Sequence, residues 1–342
     1  MGFIYISGVV ALKPKNIWLD SELDFHGIGS WNLSAIRGVD MKKGMPIAVV
    51  GSVNSDYSVF MERLPMPGET VLAIDSGRFA GGKGLNQAVA AHRAGGDVRF
   101  RFSVGDDEDG RFLTGFLTAE AMVVDVLQDP DRPTSKAYIL VDQAGENQIS
   151  VIPGANYSPK LSRTQFPQGP GLLVLQLEIG NENNLALARQ AKQAGWKVVL
   201  TPAPSSQFDA ALLEYVDILM LNESEAAQIS GSHDFMTSGK AVSQMVRIVF
   251  LTRGASGVSV FEDGEFIGNV GALDVSSVDA TGAGDTFCGY AVAGLAQGMD
   301  AMAAAKLGTI AAGISVQARG ASNSIPFRNE VDELLSKTQT RS

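Results

Sequence analysis

The sequence predicts an α/β protein: a three-layer α/β/α arrangement on a mainly parallel sheet, with a small β-sheet lid beside it. Three observations carry this expectation. From residue 46 onward, short β-branched runs alternate with helical segments, the order that builds parallel βαβ units. Each apolar run ends in a polar turn, and ligands of such sheets bind beyond the carboxyl ends of the strands. Two further stretches read as strands with no helix to cover them.

In chain order, the first 44 residues hold two of the three Trp and show neither a helical nor a strand period. They lack the basic start and sustained apolar core of a secretory signal. They are expected to be a loosely ordered extension: an over-long start with Met41 or Met45 as working initiator, or an appendage. "IAVVGS" (47–52) is a buried-strand run ending in Gly. "GGKGLNQAVAAHRAGG" (81–96) opens on glycines, turns Ala-rich and helical, and closes on Gly95-Gly96. "VRFRFSVGDD", "GLLVLQLEI" (171–179), "KVVLTPAP" (197–204), "VDILMLNESE" (216–225) and "RIVFLTRGASG" (247–257) each join a strand to a polar turn. Helical stretches such as "NNLALARQAKQAG" fall between them, and the Ala-rich region after Asp285 reads as packed helices.

"GETVLAIDSGRFAGG" (68–82) and "SKAYILVDQAGENQISVIPGAN" (135–156) break the alternation; the second is a hairpin turning over Asp142–Asn147. A lid formed by about 66–80 and 135–153 accounts for them; edge strands of the main sheet are the alternative. The expected organisation is therefore an extension over 1–44, one α/β domain over 45–337, and a tail over 338–342.

Composition narrows the function. Lys and Arg number 27 against 37 Asp and Glu, a formal charge of −10, which argues against nucleic acid as a partner. No apolar run reaches the roughly 18 residues of a membrane span. Cys288 is the single cysteine, so an intrachain disulfide is impossible and a cytoplasmic home is expected. His26, His92 and His233 lie far apart without metal-ligand spacing.

Two Gly-rich turns carry the chemistry. "GRFAGGKG" (77–84) nearly matches a phosphate-binding P-loop, but Gly84 stands where Ser or Thr must ligate Mg²⁺. "GAGDTFCG" (282–289) starts like a dinucleotide fingerprint, but Phe287 takes the third glycine position. That substitution disfavours a nicotinamide-dependent oxidoreductase. Paired glycines at a helix start, where Ser, Thr, Asp or Asn would normally cap, let a ligand approach bare backbone with free N–H groups.

Taken together, "GSVNSD", "PGET", "GGKGLNQAVAA", "LQLE", "TPAP", "NESEA", "TRGASG", "DATGAGDTF" and "ARGASNSIP" resemble, in order, the ribokinase family of sugar and nucleoside kinases, the PfkB-type carbohydrate kinases. The resemblance covers about residues 46–336. It implies a ribokinase-like fold and ATP-dependent phosphorylation of the primary hydroxyl of a small sugar, D-ribose foremost. Fructose, deoxyribose, 2-keto-3-deoxygluconate, a nucleoside, or a non-catalytic sugar sensor are the alternatives. In this reading Asp285 is the general base, and Gly282, Ala283 and Gly284 build the anion hole with the Asp285 amide. Asn54, Asp56, Gly82, Lys83, Asn86 and Glu178 would hold the sugar, since a polyol demands several carboxylate and amide partners. An amide at Asn54 can pair with a 2-hydroxyl, which favours ribose. Asn222, Glu225, Thr252, Gly254, Gly257, Gly284 and Thr309 would bind ATP, with Asn222 and Glu225 reaching Mg²⁺ through water. Asp279, Thr281, Ser315, Ala318, Gly320 and Ser324 would supply a monovalent cation site, K⁺ in this family, partly through carbonyl oxygens. The lid would close on bound sugar and pair with a second subunit to give a homodimer. Cys288 reads as a packing residue.

Overall fold

The computed structural model describes residues 44–339. The expected extension falls outside them except for Gly44. At the other end, helix α8 (Arg328–Gln339) runs two residues into the expected tail, and residues 340–342 are outside.

Burial on both faces explains why the strand runs are so uniformly apolar. In β1 (Ile47–Val50) all four residues are buried. Ile47 and Val49 enter one core while Ala48 and Val50 enter another. The same division holds along β8 (Leu172–Gln176), β9 (Lys197–Thr201), β10 (Ile218–Asn222) and β11 (Ile248–Thr252), whereas β4 (Val98–Val104) gives its apolar residues to the first core alone and turns Arg99, Arg101 and Ser103 the other way. With β5 (Val123–Gln128), these strands lie parallel. Two antiparallel strands, β12 (Val258–Glu262) and β13 (Glu265–Val270), complete one edge. The first core is covered by α1 (Lys83–Arg93), α2 (Glu108–Ala119), α6 (Ala283–Ala296), α7 (Ala301–Ser315) and α8. The second is covered by α3 (Asn181–Gln193), α4 (Glu223–Ser230) and α5 (Phe235–Ser243). This is the three-layer arrangement expected. No helix of the described residues is long and apolar enough to cross a membrane.

The strand order β13-β12-β11-β10-β9-β8-β1-β4-β5 reverses its winding between β1 and β8. Chains leave these two strands in opposite lateral directions, which opens a crevice at their carboxyl ends. Ser52 follows β1 and Glu178 follows β8, so both sit at that crevice.

The lid is a separate four-stranded sheet, ordered β3-β2-β6-β7. Its hairpin, β6 (Lys136–Val141) and β7 (Asn147–Ile152), turns where expected, with Asp142 Oδ1 accepting the Ala144 and Glu146 amides. Two features differ from expectation. Strand β3 begins only at Ala73 and runs to Gly81. A further strand, β2 (Asn54–Met61), lies at the lid's centre, antiparallel to β3 and parallel to β6. Its start, "NSDYS", is polar and carried no strand pattern. Because alternate residues of a strand share a face, Asn54 and Asp56 face one way and Ser55 and Tyr57 the other.

Helix α2 fastens the lid to the body. Asp109 accepts from Tyr57 Oη at 2.8 Å, Arg78 at 2.5 Å and Lys136 Nζ at 2.9 Å, one residue from each of three lid strands. Burial alone would raise the Asp109 pKa, but the bonds from Lys136, Ser55 and Tyr57 and the Arg78 charge lower it to about 2. Asp107 caps α2 through Gly110 N and also holds Thr134, just before β6.

Candidate active site

Helices α1 and α6 run side by side in the same direction. Asp285 meets Asn86 and Gln87 in their first turns. One turn further on, Gly289 lies so close to α1 that a Cβ there would stand 2.4 Å from Ala90 Cβ. The two helix N-termini therefore open onto one region, and their dipoles favour negative charge there.

The α6 start has no side-chain cap; Gly282 takes its place in the left-handed region at φ 75°. The Gly284 and Asp285 amides take no backbone acceptor among the described residues, whereas Ala283 N–H donates to Ala280 O at 3.2 Å. Of the three amides expected to form an anion hole, two are thus free and the third is engaged by a long bond. Gly284 is open: a Cβ there would touch nothing within 4 Å. The glycines of "GGKG" behave differently. A Cβ on Gly84 would stand 2.5 Å from Ser52 N, and one on Gly82 3.0 Å from Asn54 N. These two let the chain after β1 approach α1, a packing requirement for glycine that the sequence pattern does not show.

Asp285 is 7% exposed, and both its oxygens accept amide protons: Oδ2 from Asn86 Nδ2 at 3.1 Å, Oδ1 from Gln87 Nε2 at 2.8 Å. Asn86 Oδ1 is buried without a partner among the described residues, as is Asp56 Oδ1. Burial first, and the nearby charge of Glu178 second, push the Asp56 carboxyl up to about 8. Glu178 Oε2 accepts from Ser52 Oγ at 2.5 Å and from Lys83 N at 3.1 Å, and Gly84 N donates to Ser52 Oγ. Asn54 is held from behind: its Oδ1 accepts from Asn156 Nδ2 at 2.9 Å, and Ser135 Oγ lies 2.7 Å from the same atom. That leaves the Asn54 amide hydrogens as what it can offer a ligand.

The Lys83 ammonium ties the groups together. Its pKa is raised, by the Asp285 charge above all, against the effect of burial and with help from Glu178 and Glu225. Glu225 is itself raised by burial, opposed by the Asn222 amide and the Lys83 charge. Asn222 and Glu225 form a reciprocal capping box on α4, both bonds 2.9 Å. Only one Glu225 oxygen is used in it.

Among the other expected nucleotide residues, Thr309 Oγ1 is buried without a partner among the described residues. Thr252 Oγ1 donates to Leu221 O at 3.3 Å. Gly254 is open, but a Cβ on Gly257 would strike Val270 O at 2.0 Å, so Gly257 is required by β13. The expected cation residues lie on two adjoining loops: the Val278 and Asp279 amides donate to Val316 O, and Asp279 accepts from Thr281 N and Gly320 N at 2.9 Å each. Ser315 Oγ and Ser324 Oγ turn back onto Ala312 O and Ala321 O, and a role for Ala318 would fall to its backbone carbonyl. Burial pushes the Cys288 thiol up to about 12, which makes it inert. The sequence reading missed Ser52, Gln87, Ser135, Asn156 and Gln176, which hold the expected residues in place. Ser52 in "GSVNSD", Gln87 in "GGKGLNQ" and Gln176 in "LQLE" stand inside the quoted motifs, whereas Ser135 and Asn156 carried no such hint.

Residues 46–328 match the pfkB family carbohydrate kinase profile. The chain is 34% identical over 313 residues to the bifunctional ribokinase/ribose-5-phosphate isomerase A of Fructilactobacillus sanfranciscensis, covering 87% of this chain and 57% of that longer protein. It is 35% identical to the ribokinase of Haemophilus influenzae, covering 84% of this chain and 98% of that one. Among solved structures, Arabidopsis thaliana ribokinase complexed with ribose and ATP superimposes with a TM-score of 0.76 at 30% identity, over 85% of this chain and 99% of that one.

Proposed function

The chain belongs to the pfkB family of carbohydrate kinases, and on that premise we propose that this sugar kinase moves the terminal phosphoryl group of ATP to the primary hydroxyl of D-ribose. The bond formed is sugar O5 to phosphorus, the bond broken joins that phosphorus to the ADP oxygen, and the hydroxyl proton passes to Asp285. The observation that carries this reading is the meeting of Asp285 with Asn86 at the open start of α6, beside two free amides. A base and an anion hole must reach one reacting centre, and adjacent residues of one turn do so.

Each residue then has a task. Asp56 Oδ1 and Asn86 Oδ1, buried without partners among the described residues, fit as acceptors of sugar hydroxyl protons. The Asn54 amide hydrogens fit a 2-hydroxyl oxygen, which supports ribose over its 2-deoxy relative. The Lys83 cation and the Gly284 and Asp285 amides offset charge on the phosphoryl group in transit. Thr309 Oγ1 and the bare Gly254 backbone fit a nucleotide. The free Glu225 oxygen fits water-mediated contact with Mg²⁺, which leans on phosphates and needs no protein cage; when bound, it neutralises phosphate charge. The loop oxygens of Asp279, Thr281, Ser315, Ala318, Gly320 and Ser324 are all hard donors, and this chemistry fits K⁺.

The lid carries exposed Leu72, Ile74, Tyr138, Ile149, Val151 and Ile152. A second copy of the chain is the proposed cover, since apolar sheet faces and edges without helices need a partner. Light scattering should give a mass near twice the 36.1 kDa of one chain; a monomer at working concentration contradicts it.

Two measurements test the chemistry. Asp285→Asn should lower kcat by about 10²–10⁴-fold with ribose and ATP; rates equal to the parent would remove the base. The second concerns Asp56, whose carboxyl at about 8 holds its proton at neutral pH in the free protein. Hydroxyl donors favour the charged form, so ribose binding at pH 7 should release protons, and affinity should rise with pH until about 8. Calorimetry in buffers of different ionisation enthalpy reads this directly. Proton uptake, or release that persists in Asp56→Asn, contradicts it.

A further inference from the structure

Two buried glutamines stand behind Asp285 with no task in the transfer just described. Gln87 lies beside Asn86 on α1, and Gln176 closes β8 at the switch point; they are 1% and 0% exposed. Glutamine is mostly a surface residue, and a buried amide is costly unless its hydrogen bonds are met. Gln87 meets all of its own. Its Nε2 donates to Asp285 Oδ1 at 2.8 Å and to Thr201 Oγ1 at 3.4 Å, and its Oε1 accepts from Gln176 Nε2 at 2.7 Å. Thr201 Oγ1 in turn points at Cys288 Sγ, 3.6 Å away. Gln176 is left short: its Oε1 is buried with no partner among the described residues, pressed against Gly51, where a Cβ would stand 2.2 Å from it.

The direction of this chain of bonds is imposed from one end. A carboxylate can only accept, so Gln87 must turn its NH₂ to Asp285 and its oxygen away. Gln176 must then offer its NH₂ to that oxygen, which strands its own. Turning Gln176 over would oppose two acceptors. A pair of apolar side chains of similar volume would fill the same space without leaving an acceptor unmet, an arrangement that is often neutral or stabilising. The unmet oxygen therefore has no packing explanation, whereas aiming a donor at Asp285 explains it.

We infer that Gln87 and Gln176 form a directed amide relay that holds the Asp285 carboxylate in the orientation needed to receive the sugar proton. Gln87 acts on Asp285 directly, and Gln176 acts through Gln87; both are positioning residues. The inference rests on Asp285 as the base. A small displacement of a reacting group costs rate more than binding, so the relay should appear in kcat and not in the sugar KM.

The test uses methionine, which matches glutamine in length and carries no strong donor. Gln87→Met should lower kcat by about 10–100-fold with the ribose KM within about twofold of the parent. Gln176→Met exchanges one unmet acceptor, its own Oε1, for another, Gln87 Oε1. It should melt close to the parent and still lose about 3–30-fold in kcat. Residues acting as one unit are not additive, so the double variant should be no slower than Gln87→Met alone, yet melt higher than it. Methionine variants with parental kcat per folded molecule overturn the relay. So does a loss shared by kcat, KM and thermal stability in proportion. Asp285→Asn measured alongside separates the two assignments: an inert Asp285→Asn with active methionine variants removes the relay alone, while an active Asp285→Asn removes the base and the relay with it.

Discussion

The close packing of α1 on α6 is the contact on which the site depends. Gly289 sits against Ala90 and Ala91, so that α6 adds no side chain of its own to the gap at that level. Because both helices run the same way, their first turns stay level, and Asn86 and Gln87 reach Asp285 across the gap. A side chain at Gly289 would force the helices apart, and well-packed cores resist such insertions. The same contact places two helix starts, each a source of partial positive charge, at the end of the crevice between β1 and β8. An acidic chain with a net charge of −10 can thus offer local positive potential to an anion.

The lid gives the second constraint. Strand β2 leaves β1 through Gly51–Val53 and becomes the central strand of the small sheet. Its first residues, Asn54 and Asp56, are therefore held by the body at one end and by the lid at the other. Asn156, beyond β7, closes the arrangement by donating to Asn54 Oδ1 and accepting from Val53 N. Asp109 and Asp107 on α2 fix the outer side. A sugar bound between these strands and α1, as proposed, would contact the body and the lid at once.

Much of this was readable in the sequence because it is local. Strand-to-turn boundaries follow from apolar runs meeting polar residues, and the uncapped "GAGD" start is visible as glycine where a cap belongs. The capping box of Asn222 and Glu225 is likewise a three-residue pattern, although spacing alone could not separate a cap from a ligand. What escaped depends on distance along the chain. Strand β2 pairs with β6 some eighty residues on, and its polar start conceals it. Gln176 ends an apolar run and looks like a turn residue; only the fold brings it to Gln87. The glycines of "GGKG" read as ligand-facing, yet Gly84 answers to Ser52 N, which a linear pattern cannot reveal.

The proposed transfer makes one geometric demand: Asp285, as proton acceptor, and the sugar's primary hydroxyl must meet at the start of α6. The structure of this protein with ribose and a non-hydrolysable ATP analogue measures that directly. The prediction is a hydroxyl within about 2.6–3.2 Å of the Asp285 carboxylate, with the terminal phosphate facing the Gly284 and Asp285 amides. A ribose lodged among Asn54, Asp56 and Glu178 with its primary hydroxyl turned away from Asp285 would contradict the account.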